Sequence, residues 1–411
     1  MISLALAYLR DRPLTTALNV LLLAVAVAML VLLLQLGTQT SARFERDARG
    51  IDLVVGAKGS PLQLIQSAVF HIDQPTGNIP LESLARLQGD PGVARVVPLA
   101  LGDNFRGYRI VGTDAGFAAL YDTRLAQGRA FAAPMEAVLG AEVARATGAA
   151  IGQKIVGSHG LADEEGQDQG HDHAPFVTVG ILAPTGGVAD RLILTSVESV
   201  WQVHGIESHH EEPGAHDHHN HAEETGPDAL EPELTALLVT YRNAAAAIRL
   251  PAMINRQSAL QAAVPATETA RLLDLVGASL EAIRLFAWLL AATGGLAILV
   301  ALIGIVRARE GDLALLRVMG AGRAQVFGTV MLEGVLTAMG GAALGWVAAH
   351  GLIMAARAQY PTLAELGFTP WQPLPAELAV LAGVIGIGAL AALIPAIGVY
   401  RLDPARVLAR S

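Results

Sequence analysis

Four long apolar runs constrain this chain most, because each can cross a membrane as a single helix. They are Leu14–Leu36 and, in the last third of the chain, Leu285–Val306, Ala324–Ala355 and Leu378–Tyr400. The first run has 23 residues without a charge, longer than the roughly 7–15 apolar residues of a cleaved signal peptide. The composition agrees, since 16% of residues are charged against about 25% in soluble domains. We expect a membrane protein with four transmembrane helices, preceded by an interfacial stub at 1–12.

A short basic segment, 307–323, separates the second and third runs. Its arginines are Arg307, Arg309, Arg317 and Arg323, and the runs on either side are nearly free of charge. Positively charged loops stay on the cytoplasmic side of a membrane. This places both termini in the cytoplasm and exports the long segment 38–277.

Within the basic segment, Glu310, Leu313 and Leu316 follow one another at helical spacing. Gly320 and Gly322 then supply a helix stop and a turn. The pattern predicts a short amphipathic helix that lies against something cytoplasmic. A generic basic loop that merely closes a helical hairpin is the alternative.

The exported segment has the sequence of a mixed α/β domain. Short runs rich in Val, Ile and Leu alternate with Gly, Pro and Asp turns, which is typical of strands. The predicted strands are 51–55, 92–99, 108–112, 137–140, 153–157, 176–183, 191–194 and 234–241. The predicted helices are 61–69, 142–146, 197–203, 244–261 and 267–280.

Several motifs resemble those of the FtsX/MacB-type ABC transporter permeases. In the exported segment they are V-A-R-V-V-P at 93–98, I-G-Q-K-I at 151–155 and V-G-I-L at 179–182. In the membrane part they are R-x-R-E-x-x-x-A-L-L-R-V-M-G-A, which begins at Arg307, and Leu332-Glu333-Gly334. The resemblance covers nearly all of the chain. It implies an α+β membrane protein whose exported domain is similar to the MacB periplasmic core, in the inner membrane of a bacterium.

The resemblance also implies how such a chain works. The basic segment would be a coupling helix that docks on a separate ABC ATPase subunit, through Arg307, Arg309, Glu310, Leu313, Leu316, Arg317 and Arg323. The sequence has no Walker-type loop of its own, so ATP hydrolysis is expected in that partner rather than in this chain. The other expected partners are the lipid bilayer, a second permease copy or a paralogue, and a periplasmic metal-binding or adaptor protein.

Two inserts, 159–174 and 204–233, interrupt the exported domain where loops belong. Together they hold fourteen acidic residues, no Lys or Arg, and ten of the twelve histidines of the chain. Such a composition cannot support a packed core, and its negative charge excludes nucleic acid as a partner. The chain has no cysteine, so a thiolate metal site is ruled out.

The histidines of the inserts are dense enough for three or four imidazoles to meet one ion. The candidate metal ligands are His171, His173, His209, His210, His216, His218, His219 and His221. Zn²⁺ is the leading expectation, with Ni²⁺, Cu²⁺ and Co²⁺ also open, and no covalently bound cofactor is expected. A solvated acidic loop that binds metal only incidentally is the alternative interpretation.

Three functions remain open at this point. The histidines favour a transporter subunit for metal homeostasis, with zinc as the metal. A mechanical relay that activates a periplasmic partner without transport is the second, and extraction of lipoproteins or lipids is the third.

Three further features have more modest interpretations. Glu333, inside the third run, is expected to serve helix packing or coupling rather than ion conduction. Gly340, Gly341 and Gly345 permit close helix contact, within the subunit or across a dimer. His71 and Asp73 are expected to form a structural hydrogen-bonded pair, with participation in a metal site as the alternative.

Overall fold

The computed structural model describes residues 2–159, 174–205, 232–308, 310–359, 369 and 371–400. The chain divides into two compact units, one made of 1–40 with 274–411 and the other of 41–273. Each unit has its own apolar core.

The first unit is built of helices. Four of the described helices are long and apolar enough to cross a membrane, and they correspond to the four predicted runs. The helices, in chain order, are α1 (Ile2–Asp11), α2 (Pro13–Asp47), α9 (Pro265–Ala308), α10 (Glu310–Val318), α11 (Arg323–Gln359) and α12 (Pro375–Tyr400).

Small residues hold the membrane-length helices together. A Cβ built at Gly345 of α11 would lie 2.4 Å from the carbonyl oxygen of Ala24, and one at Gly341 would lie 2.6 Å from the Cβ of Leu23. Since neither clash can be relieved without moving α2, these glycines set the contact distance between α2 and α11. The predicted close approach therefore occurs within the subunit.

The second unit is a mixed α/β domain. Its strands are β1 (Leu53–Ala57), β2 (Ile79–Pro80), β3 (Val93–Phe105), β4 (Tyr108–Thr113), β5 (Leu125–Gly128), β6 (Glu136–Leu139), β7 (Lys154–Ile155), β8 (Ser158–His159), β9 (Phe176–Leu182), β10 (Leu192–Ser196), β11 (Glu233–Leu234), β12 (Ala236–Tyr241) and β13 (Leu260–Ala263). Its helices are α3 (Pro61–Ala68), α4 (Glu82–Gln88), α5 (Ala115–Leu120), α6 (Ala141–Thr147), α7 (Val197–Val203) and α8 (Ala244–Gln257).

Eleven of these strands form one sheet, whose main path runs β13-β1-β12-β3-β4-β10-β6-β9-β5. β7 joins it at β9 and β8 at β3, while β2 and β11 form a separate pair. Most neighbours are antiparallel, but β10 pairs with β4, and β6 with β9, in parallel. Buried apolar side chains form separate clusters around Val54 and Leu53, successive residues that point to opposite faces of the sheet. The sheet is thus covered on both faces.

The predicted fold class, a mixed α/β domain between the first two of four membrane-length helices, is confirmed. Among the elements that differ, the helix predicted over 244–261 ends at Gln257, and residues 260–263 form β13 instead. These residues pair with β1, with Ala262 opposite Val55. A four-residue strand that directly follows a helix gives too short a pattern for its period to be recognised.

Candidate functional site

The first candidate site is α10, the short helix between α9 and α11. Gly320 ends it with φ +105°, a conformation that glycine adopts without strain. The amide of Ala321 donates to the carbonyl oxygen of Leu316 at 3.0 Å, and that of Gly320 donates to Arg317 at 3.1 Å. These two bonds form a Schellman cap, so the predicted helix and its stop are both present.

The two faces of α10 have different surroundings. Leu313 and Ala314 are 5% and 0% exposed, and Leu313 belongs to a cluster with Val326 of α11 and Val399 of α12. On the opposite side, Leu315, Val318 and Met319 are 53%, 66% and 69% exposed. Their spacing of three and four residues puts them on one face. This outer face of α10, defined by Leu315, Val318 and Met319, is apolar and uncovered within the described chain.

The assignment of Leu313 and Leu316 to a docking surface is therefore corrected. Leu313 is buried, and Leu316 packs partly against the same cluster. The periodicity of leucines identified a helix, but both faces of this helix carry apolar residues. Sequence spacing alone does not say which face packs inward.

The charged residues of the predicted coupling set lie at both ends of α10. Arg307 and Arg323 are exposed, Arg317 is partly buried, and Glu310 begins the helix. Arg309 lies outside the described residues. Glu333 lies in α11 with 3% exposure, a position that agrees with helix packing.

A second candidate site in the membrane unit was missed by sequence reasoning. The buried carboxylate of Glu377, in the first turn of α12, accepts a hydrogen bond from Trp346 Nε1 at 2.7 Å and another from Gln35 Nε2. His350 Nε2 lies 3.3 Å from the same carboxylate, and its ring stacks on Trp371 with centroids 5.8 Å apart. Glu377, His350 and Gln35 are 2%, 1% and 1% exposed.

This network joins three helices at one end of the membrane unit. Gln35 lies in α2, Trp346 and His350 lie in α11, and Glu377 lies in α12. Trp346 can only donate, so Glu377 is the acceptor at the centre of the network. The signal in the sequence was a histidine and a glutamate within or beside apolar runs. It was missed because the fourth run was taken to begin at Leu378, one residue after Glu377.

The predicted metal ligands lie outside the described residues: His171, His173, His209, His210, His216, His218, His219 and His221. Among the residues that the structure does describe, no group of three His, Asp or Glu side chains is placed to hold a metal ion.

The two inserts nevertheless begin next to each other. β8, which leads into the first insert, pairs with β3 so that His159 lies opposite Asp103. His204, which leads into the second, has its Nε2 3.7 Å from Asp103 Oδ1. Its Nδ1 lies 2.8 Å from the carbonyl oxygen of Val200. Both inserts therefore start beside Asp103, although they are 45 residues apart at these points in the sequence.

The expected pairing of His71 with Asp73 is wrong. Asp73 accepts from the amide of Gln74 at 2.7 Å, whereas neither ring nitrogen of His71 has a partner in the described part of the chain. Burial lowers the pKa of His71 well below its usual value, and the nearby charges of Arg109 and Arg191 lower it further. These effects keep the imidazole of the half-buried His71 neutral.

Comparison with known proteins gives two family matches. A MacB-like periplasmic core domain matches residues 16–247, and an FtsX-like permease C-terminal domain matches residues 284–404. No curated protein matches the chain.

Two solved structures are similar to the chain at low identity. The periplasmic region of MacB from Actinobacillus actinomycetemcomitans is 12% identical, with a TM-score of 0.35, and the match covers 55% of this chain and 95% of that one. The extracellular domain of the noncanonic ABC-type transporter YknZ from Gram-positive bacteria is 13% identical, with a TM-score of 0.31, over 52% of this chain and 98% of that one.

The first family match alone accounts for more than half of the chain, and the second covers α11, α12 and the part of α9 from residue 284 onward. The two follow one another in the order that the sequence motifs predict. The chain belongs to the FtsX/MacB-type family of ABC transporter permeases.

Proposed function

We propose that this chain is the membrane subunit that couples ATP hydrolysis by a separate ATPase to its inserted α/β domain, and that α10 receives the ATPase. The outer face of α10 carries this proposal. Three large apolar side chains, each more than half exposed, lie together on a helix between two membrane-length helices. Contiguous exposed apolar surface marks an interaction site.

The surroundings of this face fit a protein partner better than lipid. Arg307 lies in the last turn of α9 and Arg323 begins α11, and both are exposed, so positive charge flanks α10 on both sides along the chain. Protein interfaces combine an apolar core with a polar rim in this way. The same arginines support a cytoplasmic position for α10, with both termini cytoplasmic and the α/β domain in the periplasm.

Copurification tests the coupling role. The full chain is purified from its native membranes as wild type, as Val318→Glu and as Met319→Glu. Both variants should insert normally but lose the associated ATPase activity, because each places a carboxylate on the outer face of α10. Ile248→Glu is the matched control, since Ile248 is 81% exposed on α8. Full ATPase recovery with both α10 variants would remove the basis for the proposed docking face.

We also propose that the two histidine-rich inserts bind Zn²⁺ together, as part of a role in metal homeostasis. Both inserts begin beside Asp103, and this supports a shared site because ligands from the two inserts can then reach one ion. A ligand set of imidazoles and carboxylates suits Zn²⁺. Binding has to compete with protons on the imidazoles, so the affinity should fall as the pH drops through about 6.5.

Zinc titration by calorimetry tests this role in two variants of the full chain. Changing every histidine within 207–224 to Asn should lower the zinc stoichiometry and leave ATPase association intact, since a segment of this composition cannot support a packed core. Changing the acidic residues of 207–224 to their amides should have a smaller effect. Equal zinc binding by the histidine variant and the wild type would favour the mechanical relay or lipoprotein extraction instead.

A further inference from the structure

We propose that a pocket in the α/β domain, lined by Arg46, Arg49 and Arg124, binds a phosphate group. The pocket has a volume of about 400 Å³ and lies between the end of α2, the turn after α5 and the loop after β9. All of its lining residues belong to the same compact unit. This inference does not depend on the coupling or metal roles.

The arginines that line the pocket are available to a ligand. Arg46, Arg49 and Arg124 are all exposed. Arg46 uses one nitrogen, Nη1, to donate to the carbonyl oxygen of Gly186 at 2.5 Å, which fixes its side chain and leaves its other donors. A guanidinium group presents five donors in a planar fork that matches phosphate oxygens.

Two carboxylates also line the pocket, but one of them is already paired. Asp47 is 1% exposed and accepts from the amide of Val188 at 2.9 Å. Its other oxygen lies 3.6 Å from Arg43 Nε. Asp122 is exposed and remains the opposing charge. The three positive charges of the arginines exceed the one negative charge of Asp122, so the pocket is positively charged.

One residue that lines the pocket, Tyr121, also packs against the core of the domain. The hydroxyl of Tyr121 is buried and has no hydrogen-bond partner in the described part of the chain. Burial and the neighbouring charge of Asp47 raise the pKa of Tyr121, so its hydroxyl stays protonated. Three arginines suit a group with three or four oxygens. A carboxylate, with two oxygens, would leave donors unpaired.

Calorimetric titration of the full chain in a neutral detergent tests the site with three probes. These are inorganic phosphate, a short-chain phosphatidylglycerol and acetate. The double variant Arg49→Gln/Arg124→Gln should weaken phosphate binding at least about tenfold, because it removes two charge-assisted contacts. Asp122→Asn should strengthen it, and asparagine also tolerates the positive φ of 47° found there. Arg256→Gln, exposed on α8, is the matched control.

The probes also identify the source of the phosphate. Tighter binding of phosphatidylglycerol than of inorganic phosphate, with the same response to the variants, would assign the site to a lipid headgroup. The reverse order would assign it to a soluble phosphate compound. No phosphate binding, equal binding by the double variant, or acetate binding as tight as phosphate would overturn the proposal. If the double variant does not fold, Asp122→Asn decides, and an unchanged affinity overturns the proposal.

Discussion

At the scale of single residues, Glu377 is the polar centre of one end of the membrane unit, where Gln35, Trp346 and His350 all contact its side chain. Trp346→Phe keeps the aromatic ring but removes the donor that lies 2.7 Å from the carboxylate. Leaving a buried acceptor without its donor costs about 1–3 kcal/mol, so the variant should lose free energy of unfolding of that order. Denaturation of the purified protein in detergent measures the loss.

Trp288→Phe provides the comparison for this prediction. Trp288 packs its ring against Gly383 of α12. Its indole nitrogen makes no hydrogen bond within the described part of the chain. This substitution should cost clearly less than Trp346→Phe. Equal losses would show that the polar contact to Glu377 adds nothing to stability.

Glu136 in β6 makes the α/β domain sensitive to acid. Its hydrogen bonds with Arg129, and with the amides of Ala132 and Ala133, lower its pKa from 4.5 to about 2. A carboxylate whose pKa is lower in the folded state than in the unfolded state stabilises the fold at pH values above its unfolded-state pKa. This contribution disappears as the pH falls through its folded-state pKa. Stability should therefore be lost between about pH 4.5 and 2.

Glu136→Gln should flatten the dependence of domain stability on pH in this window, as measured by thermal unfolding followed by circular dichroism. Arg129→Gln should have the same effect, because it removes the largest cause of the shift. An unchanged acid profile in both variants would mean that the ion pair does not form in solution.

At the scale of elements, glycine spacing fixes how α2 and α11 pack. Gly345→Val should prevent close contact between these helices, because even a Cβ would lie 2.4 Å from the carbonyl oxygen of Ala24. Gly351 lies on the same helix with no atom within 4 Å of its ideal Cβ. Gly351→Val should leave the thermal midpoint in detergent nearly unchanged, whereas Gly345→Val should lower it. Similar midpoints would contradict this helix packing.

Element boundaries show what local sequence can predict. The four membrane helices were predictable because about 20 apolar residues have few alternatives to spanning a bilayer. The strands β3, β4 and β9 were predictable from their length and β-branched residues. β2, β5 and β8 were not, because no run of β-branched residues marks them and their neighbours in the sheet stabilise them.

At the scale of the whole molecule, the order of the elements was predictable but their pairing was not. Nothing local indicates that β10 lies parallel to β4, or that His159 and His204 both lie beside Asp103. Such contacts form only when segments that are distant in the sequence come together in the folded sheet. The outer face of α10 and the contacts of Glu377 could not be predicted for the same reason.

The predicted orientation can be tested because the chain has no cysteine. A thiol introduced by Ala119→Cys, exposed in α5, should react with a membrane-impermeant reagent in cells whose outer membrane alone is permeable. A thiol introduced by Val318→Cys should react only after the inner membrane is opened. The opposite pattern would reverse the topology.

Site-specific crosslinking from α10 tests the coupling role most directly. A short bifunctional reagent would be applied to inverted inner-membrane vesicles that carry Val318→Cys as the sole cysteine of this chain, and the product identified by mass spectrometry. We predict a crosslink to an ATP-hydrolysing subunit, and none from Ala119→Cys in the α/β domain. A copurifying ATPase that crosslinks from Ala119→Cys but not from Val318→Cys would contradict the proposed role of α10.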